Sequence, residues 1–275
     1  MIDYHIHSDF CGHATGELEE YITEAFRKRF VEIGFSAHLP KVTEPDPYHA
    51  MLEQDLPRYV ERVRELQERY AGRITIKLGI EADYFAGHEA ETRRLIDAYP
   101  FDYVLGSLHF LGDWHFTSRV GLDRYRTENP DSAYARYFEL IGQLIRSDLF
   151  DVLAHPDAIR RAGFNPNAPM DDTYHDIAVL LRERGMAIEV NTAGIRRRTG
   201  SLYPEPAFLA AVAREGVPVT IGSDAHAPGD VGRDFQTAFR LLRDVGIREV
   251  ATFAKRRMTM RRLSDFSGSA VFRPA

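Results

Sequence analysis

Seven short apolar runs, most of them rich in Val or Ile, punctuate this chain, and each gives way to polar residues. They are Ile2–Ile6, Glu32–Ala37, Ile74–Ile80, Tyr103–Leu108, Phe150–Ala154, Met186–Val190 and Val217–Gly222. Unbroken apolar runs of this length suit strands buried on both faces, as in a parallel sheet, where no wet face imposes alternation. Helical periodicity fills the gaps between them. Leu18, Tyr21, Ile22, Ala25, Phe26 and Phe30 fall at i, i+3, i+4 spacing, with Thr15 placed to cap the helix. Leu52, Leu56, Val60, Val63, Leu66 and Tyr70 mark the face of a second helix, which Pro57 kinks or restarts. Further helices are expected at about 88–98, 131–147, 172–184, 205–215, 234–245 and 247–256. Asn165–Pro169 reads as a surface loop. Seven strands alternating with helices predict repeated βα units closed into one barrel of parallel strands, a single domain over residues 1–275.

Composition narrows what such a barrel can do. Cys11 is the only cysteine, so no internal disulfide is possible and a reducing cytoplasm is the expected address. A net charge of -6 opposes binding to a polynucleotide backbone. No apolar run approaches the ~20 residues of a membrane-spanning helix. The opening MIDYHIHSDF lacks the basic and apolar stretches of a secretory signal.

The histidines fall where the strands end. The first strand runs into His5-x-His7, followed by Asp9 and His13; the second ends at His38, the third at Glu81, the fourth at His109 and the fifth at His155. The sixth leads into Glu189 and Asn191, and the seventh into Asp224-x-His226. In a parallel barrel all C-terminal strand ends meet at one mouth, where active sites are built, so residues 5 to 226 converge in space. Two-residue spacing on a strand puts His5 and His7 on one face, and Asp224 and His226 repeat the arrangement. A single histidine at a strand end is usually a hydrogen-bonded structural residue. Seven of eleven histidines and two carboxylates at the ends of six strands are not explained that way. Burying so many ionisable groups together is costly unless cations compensate them. Mixed imidazole and carboxylate ligands suit zinc, iron or manganese.

These residues lie in HIHSDFCGHA at 5–14, GFSAH at 34–38, GIEADY at 79–84, GSLHF at 106–110, LAHPD at 153–157, EVNTAG at 189–194 and GSDAH at 222–226. The set resembles, in order and over nearly the whole chain, the motifs of the polymerase and histidinol phosphatase (PHP) family. The resemblance implies a distorted (β/α)7 barrel carrying up to three divalent metal ions at its mouth. It implies one ion on His5, His7, Glu81 and Asp224, a second on Glu81, His109 and His155, and a third on His13, His38 and His226. DFCGHA, GIEADY and EVNTAG look most like the histidinol phosphatases of amino-acid biosynthesis. That likeness implies hydrolysis of histidinol phosphate, a small phosphate ester.

The chemistry expected is in-line attack of a metal-bridging hydroxide on phosphorus, without a covalent phosphoenzyme. Glu81, Asp224 and His226 are the catalytic candidates, with Asp224 or His226 placed to protonate the leaving alkoxide. Cys11 reads as a small residue packed in a tight loop rather than a nucleophile. Arg160, just past the fifth strand, and Arg197, in the Arg196–Arg198 run after the sixth, are candidate phosphate ligands because a guanidinium fork donates two hydrogen bonds at once. Asn191 and His115, the latter beside Trp114 in the loop after strand four, complete the candidate substrate contacts. Asp9 is a candidate for holding a ligand imidazole in position. His49, His88 and His175 fall in loop or helical stretches and read as surface residues. The rival readings are a phosphatase for nucleotides or aryl phosphates, an amidohydrolase-type barrel and a non-catalytic metal-binding module. The chain has no Lys between positions 77 and 255, so it lacks the strand-four Lys often found in amidohydrolases.

Overall fold

A computed structural model describes residues 1–266 of the chain, so the last nine positions of the expected 1–275 domain lie outside the described residues. The seven apolar runs form seven parallel strands: β1 (Ile2–Ile6), β2 (Glu32–Phe35), β3 (Thr75–Asp83), β4 (Tyr103–Ser107), β5 (Val152–Leu153), β6 (Ala187–Asn191) and β7 (Val219–Gly222). They pair in sequence order, and a parallel bridge from Ile6 to Ala225 brings the β7 end back to β1. That seam carries two backbone bonds, His7 N to Ala225 O at 2.9 Å and Ala225 N to His5 O at 3.2 Å. The result is a nearly closed barrel, and β1, β2, β4, β5, β6 and β7 are buried throughout.

Helices α1 (Leu18–Arg27), α2 (Leu56–Arg69), α3 (Glu89–Asp97), α4 (Pro130–Arg146), α5 (Asp171–Arg184), α6 (Pro206–Arg214) and α7 (Phe235–Asp244) follow the expected positions. Pro57 starts α2 rather than kinking it, since it sits in the first turn, where its missing N–H costs nothing. The N-cap of α1 is Glu17, not Thr15, and the Glu20 side chain accepts from the Glu17 N–H at 2.8 Å. The Thr15 N–H instead donates to the carbonyl of His226 at 2.9 Å, joining the first motif to the last. No helix among the described residues is long and apolar enough to cross a membrane.

One expected element is wrong. Residues 247–256 do not form a helix; they supply β8 (Glu249–Ala254), which pairs antiparallel with β9 (Arg257–Arg262). Lys255 and Arg256 both take left-handed backbone angles, as a two-residue hairpin turn requires. Asp102 holds that turn: its carboxylate accepts from the Lys255 N–H at 3.1 Å and its carbonyl from the Arg256 N–H at 2.8 Å. Tertiary contacts thus override the helical look of the segment.

Tyr103 occupies the space that two glycines leave. Its hydroxyl reaches from β4 to the carbonyl of Tyr4 on β1 at 2.7 Å, and a Cβ on Gly34 or Gly79 would overlap its ring. Gly79→Ala is therefore expected to lower stability by about 1–3 kcal/mol, the usual cost of overpacking a core. Denaturant unfolding monitored by circular dichroism checks this; an unchanged midpoint would mean that the barrel floor has slack.

Candidate metal centre

Strand β1 sends His5 and His7 to one side, as period-two geometry demands, and their Nε2 atoms approach to 3.0 Å. Glu81, at the mouth-side end of β3, sits among the rings. Its Oε2 lies 3.2 Å from His5 Nε2, 3.4 Å from His7 Nε2 and 3.2 Å from His38 Nδ1. Its Oε1 lies 2.9 Å from His155 Nε2 and 3.7 Å from His109 Nε2. Asp224, beyond β7, puts Oδ1 3.3 Å from His7 Nε2 and 3.9 Å from His5 Nε2. His13 and His226 meet through their Nε2 atoms at 2.9 Å, and the His226 ring stacks on His7 with centroids 4.0 Å apart. Barrel closure thus brings together all nine positions whose spacing suggested ligation. His155 and Asp224 are non-glycine residues with positive φ (23° and 52°), so local backbone strain accompanies the placement of both side chains.

Several sets of three or more ligand atoms lie within 4.8 Å of one another: His5, His7 and Glu81; His5, His155 and Asp224; Glu81, His109 and His155; and His7, His38 and His226. The Glu81, His109 and His155 set matches the expected grouping. In the last set His7 stands where His13 was expected, and His13 joins it at the His226 Nε2.

The donor set fits divalent cations. Each facing pair of ring nitrogens can share at most one proton. His38 Nδ1 and His155 Nδ1 are buried with no hydrogen-bond partner. Burial first, and neighbouring His226 second, push His7 well below the ordinary imidazole range and His13 down to about 4. Burial likewise depresses His38. Neutral imidazole is the ligating form. Burial alone would raise Glu81 and Asp224, but His38 and His5 hold Glu81, and His5 and His226 hold Asp224, well below the usual carboxylate range. The centre therefore presents anionic oxygen beside the neutral rings of His7, His13 and His38, whereas, against burial, Glu189 and Glu81 raise His5 and Glu81 raises His155.

A second layer orients these ligands, and much of it escaped sequence reading. Asp83 bridges two rings, with His109 Nδ1 at 2.8 Å from Oδ1 and His49 Nε2 at 2.7 Å from Oδ2. His49 is consequently buried and is not the surface residue its loop position suggested. It also joins His38, Asp83 and His109 in a further set of close ligand atoms. Glu189 holds His5 Nδ1 at 2.8 Å. Asp9, expected in such a role, is exposed. Cys11 is buried, with Sγ 3.0 Å from the His38 N–H and 3.4 Å from His7 Nδ1, and burial pushes its thiol up to about 12. A thiol at that pKa is neutral and no nucleophile. His88 and His175 are exposed, as expected.

The centre opens into a cavity of about 800 Å³ (large beside a small phosphate ester). His7, His13, His38, Glu81, His109, His155, Asp224 and His226 line its floor. Arg161, Arg196 and Arg197 stand on its wall, and His49, His115 and Arg119 also face it. His115 packs on Phe110, and burial, then His49 and His109, drive it down to about 3. Its neighbour Trp114 is buried and donates to the Gly121 carbonyl at 2.9 Å, a packing role.

Two candidate substrate contacts need correction. Arg160 does not line the cavity; it is buried between Asp157 and Glu205, at 3.2 and 3.1 Å. The next residue, Arg161, faces the site instead, because a 3-10 turn over Ala158–Ala162 rotates successive side chains in different directions. Asn191 is fully buried and its amide is committed: Nδ2 donates to Glu189 at 3.0 Å and Oδ1 accepts from the Ala193 N–H at 2.9 Å. Asn191 shapes the loop after β6 rather than meeting a ligand. Among the described residues Arg161 and Arg197 have no carboxylate partner, and their mutual repulsion, after burial, lowers the Arg161 pKa. Arg196 is tied to the Ser223 carbonyl at 2.7 Å.

Known proteins resemble this chain in sequence and in fold. The PHP domain family model matches residues 3–193. A Deinococcus radiodurans protein named "probable histidinol-phosphatase" is 36% identical over 94% of this chain and 98% of its own. The histidinol-phosphatase of Bacillus subtilis is 30% identical, with 85% of this chain and 96% of the relative covered. Among solved structures, the histidinol phosphate phosphatase of Lactococcus lactis, complexed with zinc, L-histidinol and phosphate, superposes with a TM-score of 0.78. It is 23% identical and covers 94% of this chain and 98% of its own, a likeness of fold.

Proposed function

This chain belongs to the PHP domain family, and on that premise we propose that it is a metal-dependent phosphomonoesterase that hydrolyses histidinol phosphate to histidinol and inorganic phosphate. One observation carries the reading. A cluster of imidazoles and ionised carboxylates floors a cavity whose wall holds two arginines, Arg161 and Arg197, with no carboxylate at ion-pair distance among the described residues. Cations below and guanidinium groups above suit a phosphate dianion. The relatives' names supply the alcohol half of the substrate.

His5, His7, Glu81, His109, His155, Asp224, His38, His226 and His13 would hold up to three divalent ions of the zinc, iron or manganese class. Such ions, when bound, neutralise phosphate oxygens and acidify water at neutral pH. The chain's own residues do the rest. Arg161 and Arg197 clamp the phosphate and fix its orientation. Asp224, kept ionised by His5 and His226, orients the His226 ring, which takes the proton of the attacking water and passes it to the leaving alkoxide. The neutral His115 and the buried His49 face the end of the cavity left for the organic group.

Phosphate release from histidinol phosphate, AMP and an aryl phosphate, measured on protein of known metal content, tests the assignment. We expect kcat/KM for histidinol phosphate to exceed the others by about 100-fold, a ratio within reach of polar recognition in one pocket. Equal or faster turnover of AMP would assign the enzyme to nucleotides.

A further inference from the structure

Glu189 is a buried acid that the mechanism leaves unused. Its side chain is 1% exposed, and it is not among the residues lining the cavity, so it cannot meet substrate. It nevertheless makes three hydrogen bonds, and they reach the ends of three strands. Oε1 accepts from His5 Nδ1 on β1 at 2.8 Å; Oε2 accepts from the backbone N–H of His155, beyond β5, at 2.8 Å, and from Asn191 Nδ2 on its own strand β6 at 3.0 Å. A fourth strand is shaped around it. A Cβ on Gly222, at the end of β7, would overlap Glu189 Oε1 and the Cβ of His5, so glycine there is what lets the carboxylate lie against the ring.

We propose that Glu189 is the positioning residue that sets the tautomer and direction of His5 and, through the His155 backbone, couples two of the metal-ligand sets. The inference rests on the metal-binding half of the functional reading, not on the identity of the substrate. A carboxylate can only accept, so Glu189 fixes a proton on His5 Nδ1 and turns Nε2 toward the centre, 3.2 Å from Glu81 Oε2 and 3.0 Å from His7 Nε2, where the neutral ring would offer its lone pair to a cation. The His155 backbone, with φ 23°, is in a region L-residues seldom adopt, and the bond from its N–H to Glu189 helps to hold it there. Asp83 treats His109 in the same way, but it belongs to β3 alone with Glu81. Glu81 touches both rings from within the centre, and Glu189 ties the His5 ring to the His155 backbone from behind it.

The test compares wild type with Glu189→Gln and Glu189→Asp. Glutamine keeps the volume but offers one acceptor where three donors converge; aspartate keeps the charge but withdraws it by one methylene. Zinc affinity is read by competition with a chromophoric chelator, the His5 tautomer by ring ¹⁵N shifts of the metal-free protein, and folding by circular dichroism. We expect folded variants in which at least one zinc binds about 10–100-fold more weakly, with Nδ1–H of His5 no longer dominant. We also expect kcat to fall while KM for histidinol phosphate changes little. Wild-type zinc affinity and an unchanged tautomer in a folded variant would overturn the proposal. If the glutamine variant does not fold, the aspartate variant carries the same comparison. Loss of zinc in the variants with no turnover of histidinol phosphate by wild type would sink the substrate assignment and leave this one standing.

Discussion

Glu81→Gln is expected to reduce phosphomonoester turnover by at least about 10³-fold, or roughly 4 kcal/mol of transition-state stabilisation, while the barrel still folds. The expectation follows from how many groups depend on this one carboxylate. Its two oxygens lie within 3.7 Å of the rings of His5, His7, His38, His109 and His155. Among the described residues no other side chain touches ligands from β1, β2, β4 and β5 at once. An amide in its place would remove the negative charge that offsets cations, and would turn an N–H₂ toward ring nitrogens that need their lone pairs for ligation. Bound divalent metal, measured by elemental analysis after dialysis, should fall together with kcat. A variant that keeps full metal content and activity within tenfold of wild type would show that Glu81 is not the hub of the centre.

The hub was legible in the sequence because its logic is topological. Parallel strands deliver their C-terminal ends to one mouth, so a histidine or acid at each strand end needs no knowledge of side-chain detail to be placed near the others. The same reasoning failed where direction, rather than position, decides the outcome. Arg160 and Arg161 are adjacent in a 3-10 turn, and only the fold shows that the first turns in to Asp157 and Glu205 while the second faces the cavity. His49 sits in a loop without periodicity, and its burial depends on Asp83, which arrives from β3. Asp83 lies two residues after Glu81 in GIEADY, so the period-two rule already placed it on the same face. That spacing was the signal available for the second layer. The hairpin at Glu249–Arg262 was missed for a related reason. Its turn at Lys255 and Arg256 lacks the Asn-Gly or Gly pairs that announce such turns and is held by Asp102, far away in sequence.

Arg161→Ala should lower kcat/KM for histidinol phosphate about 10–100-fold, the loss expected when charge-assisted hydrogen bonds worth about 1.5–3 kcal/mol disappear. Arg197→Ala should behave alike, and the double variant should be worse than either. The guanidinium groups are close enough to repel, and among the described residues neither has a carboxylate at ion-pair distance. Two unpaired like charges facing a cavity are unfavourable in the free enzyme and become favourable when a dianion arrives, so their cost is recovered only on binding. Lysine at position 161 should restore part of the loss, because it supplies charge without the planar fork. Arg160→Ala is the control that separates geometry from proximity in sequence. It should leave kcat/KM for histidinol phosphate near wild type yet lower the unfolding midpoint, since Asp157 would be left buried without its cation. Kinetics that respond to Arg160 and ignore Arg161 would mean that the phosphate enters from the other side of the Ala158–Ala162 turn, and the clamp would have to be reassigned.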